Sequence, residues 1–225
     1  MQIEIQMKPG CSVAKVNLGP REVLTSEGGA MIAMSHDMDI TTTTHKKDKG
    51  SIMKGLRRML SGENFFINHF TAGGNGGEIY LAPTLHGDMF VKELNGDKLI
   101  VQAGSYLASE QHVDVDFNWQ GFKSLFSGES LFWLNLSGQG KVIINAYGVI
   151  YRVDIDGEYI VDTGHIVAFE PSLNFEITKA GSSWVSSFLG GEGFVCRFKG
   201  KGSLWCQSHN PSSFGSTLGP RLKPM

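Results

Sequence analysis

One short pattern recurs three times in this chain: an apolar stretch closed by a glycine and then a glutamate. It reads Met59-Leu60-Ser61-Gly62-Glu63, then Leu125-Phe126-Ser127-Gly128-Glu129, then Phe188-Leu189-Gly190-Gly191-Glu192. The glutamates stand 66 and 63 residues apart. Seven, four and three residues before each glutamate the side chain is apolar: Leu56, Met59 and Leu60, then Phe122, Leu125 and Phe126, then Val185, Phe188 and Leu189. That spacing puts the three on one face of a short helix, and the glycine suits its C-terminal cap. Beyond the glutamates, Phe65-Phe66-Ile67, Leu131-Phe132-Trp133 and Phe194-Val195-Cys196 open strands. A glycine-bearing turn and a second strand are expected after each, at Gly77–Leu81, Gly140–Ile144 and Gly202–Cys206. The module reads as short helix, then β-hairpin.

A second module alternates with the first: Gly29-Ala30-Met31-Ile32-Ala33, Gly104-Ser105-Tyr106-Leu107-Ala108 and Gly164-His165-Ile166-Val167-Ala168. Nine and eleven residues beyond each glycine stand Met38 and Ile40, Val113 and Val115, Leu173 and Phe175. Period two argues for half-buried strands. The expected fold is all-β: one domain, 1–225, of three repeats of a strand, helix and hairpin unit, near residues 1–82, 83–146 and 147–210, with a C-terminal tail at 211–225 that looks loosely ordered. So many short strands must hide their edges, which favours closure within the chain and a symmetric, ring-like homo-oligomer for any edge left over.

Glycine, 29 of 225 residues, is well above the typical share of roughly 7% and fits a chain with many tight turns. A net charge of −2 gives no electrostatic reason to expect nucleic acid or anionic membrane. No window approaches a membrane-spanning apolar run, and the alternation of Met1 to Gly10 is not a signal-peptide core, so a cytoplasmic location is expected. Three cysteines are too few for a disulfide framework. In a hairpin centred on Lys201, Cys196 and Cys206 would face each other, most simply as reduced thiols.

Three segments carry a family resemblance: Leu125 to Phe132, Val161 to Glu170, and Gly190 to Phe198. With Phe70-Thr71-Ala72 and Leu81-Ala82-Pro83 they closely resemble the altered-inheritance-of-mitochondria family, whose bacterial members are mostly of unknown function. The resemblance implies three repeats of a double-stranded β-helix or β-sandwich unit, related to the tryptophan RNA-binding attenuation protein and assembled as a trimer that imitates that protein's ring. It implies no catalytic mechanism. No Arg- and Ser-rich transit segment precedes Ile3, so the mitochondrial address of eukaryotic relatives is not expected here.

The candidate binding residues are Glu63, Glu129, Glu192 and His165. A carboxylate that recurs with the repeat is more simply an anchor for the helix-to-strand corner, accepting backbone N–H bonds, than a catalyst needed in triplicate. His165 stands where the other copies carry Ala30 and Ser105, so the fold does not demand it. None of the seven histidines forms an HxH, HxxxH or HExxH pair, which leaves no cofactor or metal expectation. Cys11, Cys196 and Cys206 lack a nucleophile signature, and the glycine runs lack P-loop context. The basic residues Lys46, Lys47, Lys49, Lys54, Arg57 and Arg58 have no reliable counterparts in the other repeats, which weakens an RNA-binding reading. Apolar helix faces such as Phe122, Leu125 and Phe126 read as core, or as docking faces for a membrane or protein partner.

The leading expectation is a non-enzymatic homotrimeric scaffold or interaction protein. The alternatives are a small-molecule or single-stranded RNA binding module at the seams between repeats or subunits, and a metal-dependent enzyme built from scattered histidines and glutamates.

Overall fold

The computed structural model describes residues 1–43, 66–116, 133–179 and 194–222. The expected helical stretches and Glu63, Glu129 and Glu192 lie outside the described residues.

The described chain is all-β. Sixteen strands run in order: β1 Gln2–Gln6, β2 Val13–Leu18, β3 Val23–Glu27, β4 Met31–Met34, β5 Asp39–Thr43, β6 Ile67–Thr71, β7 Gly77–Leu81, β8 Met89–Asn95, β9 Leu99–Gln102, β10 Tyr106–Glu110, β11 Val113–Asp116, β12 Trp133–Asn145, β13 Ile150–Asp162, β14 Ile166–Phe169, β15 Leu173–Lys179 and β16 Phe194–Gln207. Residue alternation explains several of them. In β2, Ala14, Val16 and Leu18 turn inward while Lys15 and Asn17 alternate with them; in β11, Val113 and Val115 turn inward and Asp114 and Asp116 outward. The interior strand β14 reads Ile-Val-Ala-Phe without alternation, and all four residues are buried.

Two sheets result: a four-stranded one in the order β1-β2-β7-β4, and a twelve-stranded network along β13-β16-β14-β9-β12-β10-β3-β6-β5, from which β8, β11 and β15 branch. Every named pairing is antiparallel. β6 lies between β3 and β5, and β7 between β2 and β4. The first part of β12 takes β9 and β11, and its second part β8 and β10. β16 pairs along its length with β13, its first part with β15 and its end with β14. Two ladders join these groups: β10 on β3, and β14 on β9.

In three places the register slips by a residue: between Met31 and Ala33, between Tyr106 and Ala108, and between Ile166 and Ala168. These are the Gly-x-apolar-apolar-Ala segments. The slip is a β-bulge, which bends the strand and re-aims its side chains.

Two expectations need correction. The glycine-bearing turn is present between β6 and β7, but β12 and β16 run straight through the positions where a turn is expected. Gly138 (φ 105°) and Gly200 (φ 128°) bend the strand in a conformation L side chains rarely adopt, and the ladder continues, with Gly200 opposite Gly157. Cys196 and Cys206 therefore lie on one strand and do not face each other; both are buried free thiols. The tail also differs from a loose segment. Pro211–Leu218 forms a helix, α1, capped by Asn210, whose side chain accepts from Ser212 N at 2.9 Å and Ser213 N at 3.3 Å. Pro211 in the first turn loses no hydrogen bond there.

Three clusters form the core. The first joins Val16, Leu24, Phe70 and Ile79 to Leu107, Ala108 and Ile143 across the β10–β3 ladder. The second joins Leu99, Val101, Leu134 and Leu136 to Val167, Ala168 and Trp205 across β14–β9. The third packs Trp133, Phe169 and Phe198, with ring centroids 5.0–5.9 Å apart among Phe169, Phe175 and Phe198.

Candidate functional site

Of the four sequence candidates, the described structure contains His165. It stands in the single 3₁₀ turn Thr163–His165 between β13 and β14. Asp162 Oδ1 accepts from Gly164 N at 2.7 Å and fixes the turn. The His165 Nδ1 lies 2.8 Å from the Gln207 carbonyl oxygen, so it is the protonated nitrogen that donates. Gln207 donates from Nε2 to Gly164 O at 2.9 Å and accepts from Tyr147 N at 2.9 Å through Oε1. His165 is thus half-buried and held by backbone. Gly164 packs against the Asn210 side chain, leaving no room for a Cβ and tying the turn to the cap of α1.

Beside this turn the chain opens a pocket of about 310 Å³, lined by the apolar or aromatic Tyr151, Tyr159, Ile160 and Val161 and by the polar Asp162, His165, Gln207 and Ser208. Three of the apolar residues are strongly exposed: Tyr151 by 48%, Tyr159 by 44% and Ile160 by 55%. Burial raises the Tyr151 phenol above its ordinary range, with the Cys206 thiol adding to the effect. The pocket takes Tyr151 from near the start of β13 and Tyr159 to Asp162 from its end, and the named partner of β13 among the described residues is β16 alone. At one edge of the four-stranded sheet, β4 pairs among the described residues only with β7 and exposes Met31 by 38% and Ile32 by 55%.

Side chains that accept backbone N–H bonds recur at a second place in the units, after the bulges. Six residues beyond Gly29, Gly104 and Gly164 stand Ser35, Glu110 and Glu170. Ser35 Oγ accepts from Glu78 N at 2.9 Å, Glu110 Oε2 from Lys141 N at 3.1 Å, and Glu170 Oε2 from Ser203 N at 3.0 Å. Each ties the corner after its bulge to the facing strand. The spacing was available in the sequence, but one serine among two glutamates hides it.

A polar network that sequence reading also missed crosses the β10–β3 ladder. The buried Tyr106 hydroxyl lies 2.8 Å from Ser109 Oγ and donates to Thr25 O at 3.4 Å. On the same strand, Thr25 Oγ1 lies 3.1 Å from His69 Nδ1, and the other ring nitrogen lies 3.0 Å from Thr43 Oγ1. Glu27, nearby, is pushed up to about 7 by burial. Tyr106 is raised, by burial first and then by the Glu27 charge. Burial likewise drives the thiols of Cys196 to about 12 and Cys206 to about 11, the reverse of an activated nucleophile. Among the described residues, no three His, Cys, Asp or Glu side chains converge as metal ligands would, and no helix is long and apolar enough to cross a membrane.

The model of the mitochondrial biogenesis AIM24 family matches residues 3–209. The chain belongs to the AIM24 family. An uncharacterized protein of Streptococcus pyogenes serotype M6 is 30% identical over 191 residues, 81% of this chain and 76% of that protein. An X-ray crystal structure of a Streptococcus pyogenes protein superposes with a TM-score of 0.78 at 25% identity, covering 98% of this chain and 99% of that one. The AIM24 match spans both the His165 turn and the β4 edge. Neither Streptococcus relative carries a stated activity.

Proposed function

We propose that this AIM24 protein is a non-enzymatic scaffold or interaction protein that works as a homotrimer of three-unit chains. The observation that carries the reading is a pair of apolar edges left unpaired among the described residues: β4 with Met31 and Ile32 in the four-stranded sheet, and β13 with Tyr159 and Ile160 in the twelve-stranded one. An exposed edge bearing large apolar residues invites pairing with another chain, and a soluble protein is expected to keep it covered. Three equivalent units are supported by the three bulges and by the side-chain anchors at Ser35, Glu110 and Glu170. An arrangement like the ring of the tryptophan RNA-binding attenuation protein follows if such units continue from chain to chain. The inert environments of Cys196 and Cys206, and a His165 ring nitrogen committed to a carbonyl, favour assembly over chemistry.

A second reading has one observation of its own. The pocket beside His165 is large enough for a small ligand and offers both polar and apolar walls. Native mass spectrometry of the full chain separates the two. A bare species of three times the 24.6 kDa chain mass supports the scaffold. A trimer with stoichiometric added mass favours the ligand-binding reading, and a clean monomer at micromolar concentration overturns the trimer.

A further inference from the structure

We propose that the two open edges pair with each other between copies of the chain: β4 of one copy adds antiparallel to the second half of β13 of the next, in a defined register that seats Ile32 in the pocket beside Tyr151. This rests on the three-unit reading above and specifies its interface.

The chain itself builds this seam twice. In the first, Ala108 of β10 stands opposite Ser26 of β3, and Ser109 opposite Thr25. In the second, Ala168 of β14 stands opposite Val101 of β9, and Phe169 opposite Ile100. Each alanine lies four residues after its module glycine, Gly104 or Gly164, and each facing residue lies three before the glycine of the preceding module, Gly29 or Gly104. Ala33, four after Gly29, faces Tyr80 of β7 but has no strand on its other side among the described residues. The strand that receives no such alanine among the described residues is β13, where Val161 lies three before Gly164. The same rule sets Ala33 opposite Val161 and Met34 opposite Ile160.

Burial supports this. Leu107 and Val167 precede the two paired alanines and are 0% exposed, because each enters the core of the preceding group: Leu107 beside Leu24 and Phe70, Val167 beside Leu99 and Val101. Ile32 precedes Ala33 and is 55% exposed, with no such group beside it among the described residues. The pocket beneath Ile160 lies where that group would receive it. Aromatic pairing points the same way. At the second internal seam Phe90 of β8 stacks on Trp205 at 5.6 Å. Phe90 faces Ile144, and Trp205 faces Ala168. Tyr151 takes the place of Phe90, facing Cys206, and Tyr80 takes that of Trp205, facing Ala33. The two tyrosines would meet across the subunit seam. The contact is heterologous, so it must close into a ring or grow into a filament.

The test uses the full chain with Cys11→Ser, adding Met34→Cys and Ile160→Cys, oxidised with diamide. Cross-strand cysteines in register can form a disulfide, and a pair displaced by two residues stands too far apart. The expected result is covalent dimers and trimers on non-reducing gels, absent from either single variant and from Met34→Cys with Glu158→Cys. A trimer by native mass spectrometry without cross-links overturns the register and leaves the trimer standing; a monomer without cross-links overturns both. A second variant, Ile160→Arg, is expected to weaken assembly at least tenfold with an unchanged circular dichroism spectrum. Wild-type assembly in that variant would contradict the proposal.

Discussion

Ile32 and Leu107 hold the same place, three residues beyond their module glycines, yet Leu107 is fully buried and Ile32 is 55% exposed. The difference is positional. β10 lies on β3, and β4 has no such neighbour among the described residues. Truncation at the two sites should therefore act on different equilibria. Leu107→Ala should cost about 2–5 kcal/mol of folding stability by leaving a cavity, measured by urea denaturation. Ile32→Ala should leave the folded spectrum intact and weaken association, measured by sedimentation velocity across a dilution series.

Stability should depend on pH through Glu27. Its folded pKa, about 7, lies above the ordinary glutamate value of 4.5 because burial disfavours the charged form. The folded state then binds the proton more tightly than the unfolded one, so the contribution is fully present below about pH 4.5 and is lost as pH rises through 7. The expected loss is roughly 3 kcal/mol at most over that window. Glu27→Gln should flatten the profile there in denaturant titrations at a series of pH values. An unchanged slope would reassign the dependence to another group.

The anchors after the bulges should behave as one class. Replacing Glu110 or Glu170 by Ala leaves a facing backbone N–H, that of Lys141 or Ser203, without its acceptor, and should cost about 1–3 kcal/mol. Glu170→Gln keeps an acceptor oxygen and should recover most of the loss. Urea midpoints of the three variants check the ordering.

Thiol reactivity should split two ways. Cys11 is exposed, whereas Cys196 and Cys206 are buried and raised to about 12 and 11. With a chromogenic disulfide reagent at pH 8, one thiol per native chain should react quickly, and the other two only in denaturant.

Much of this architecture was legible because period-two burial is a strong signal: Met38, Val113 and Leu173 are all buried, as the spacing after the glycines requires. The glycines themselves misled. Gly138 and Gly200 look like turn residues but bend continuous strands, and only the pairing partner, Gly157 for Gly200, distinguishes the two. The α1 helix was hidden by its composition, although Asn210 followed by Pro211 is a helix-start signal. The exposed apolar edges at β4 and β13 were not legible at all. Ile32 and Leu107 are alike in sequence, and exposure depends on which strand lies alongside, a long-range property that local pattern does not encode.

Amide hydrogen exchange on the assembled full chain tests the central claim most directly, since it reads backbone pairing at the two edges. Amides of β4 and of residues 158–161 should be protected at high protein concentration, comparably to those of β10 and β14, and should lose protection on dilution. Rapid exchange of both edges at every concentration, beside a protected interior, would contradict it.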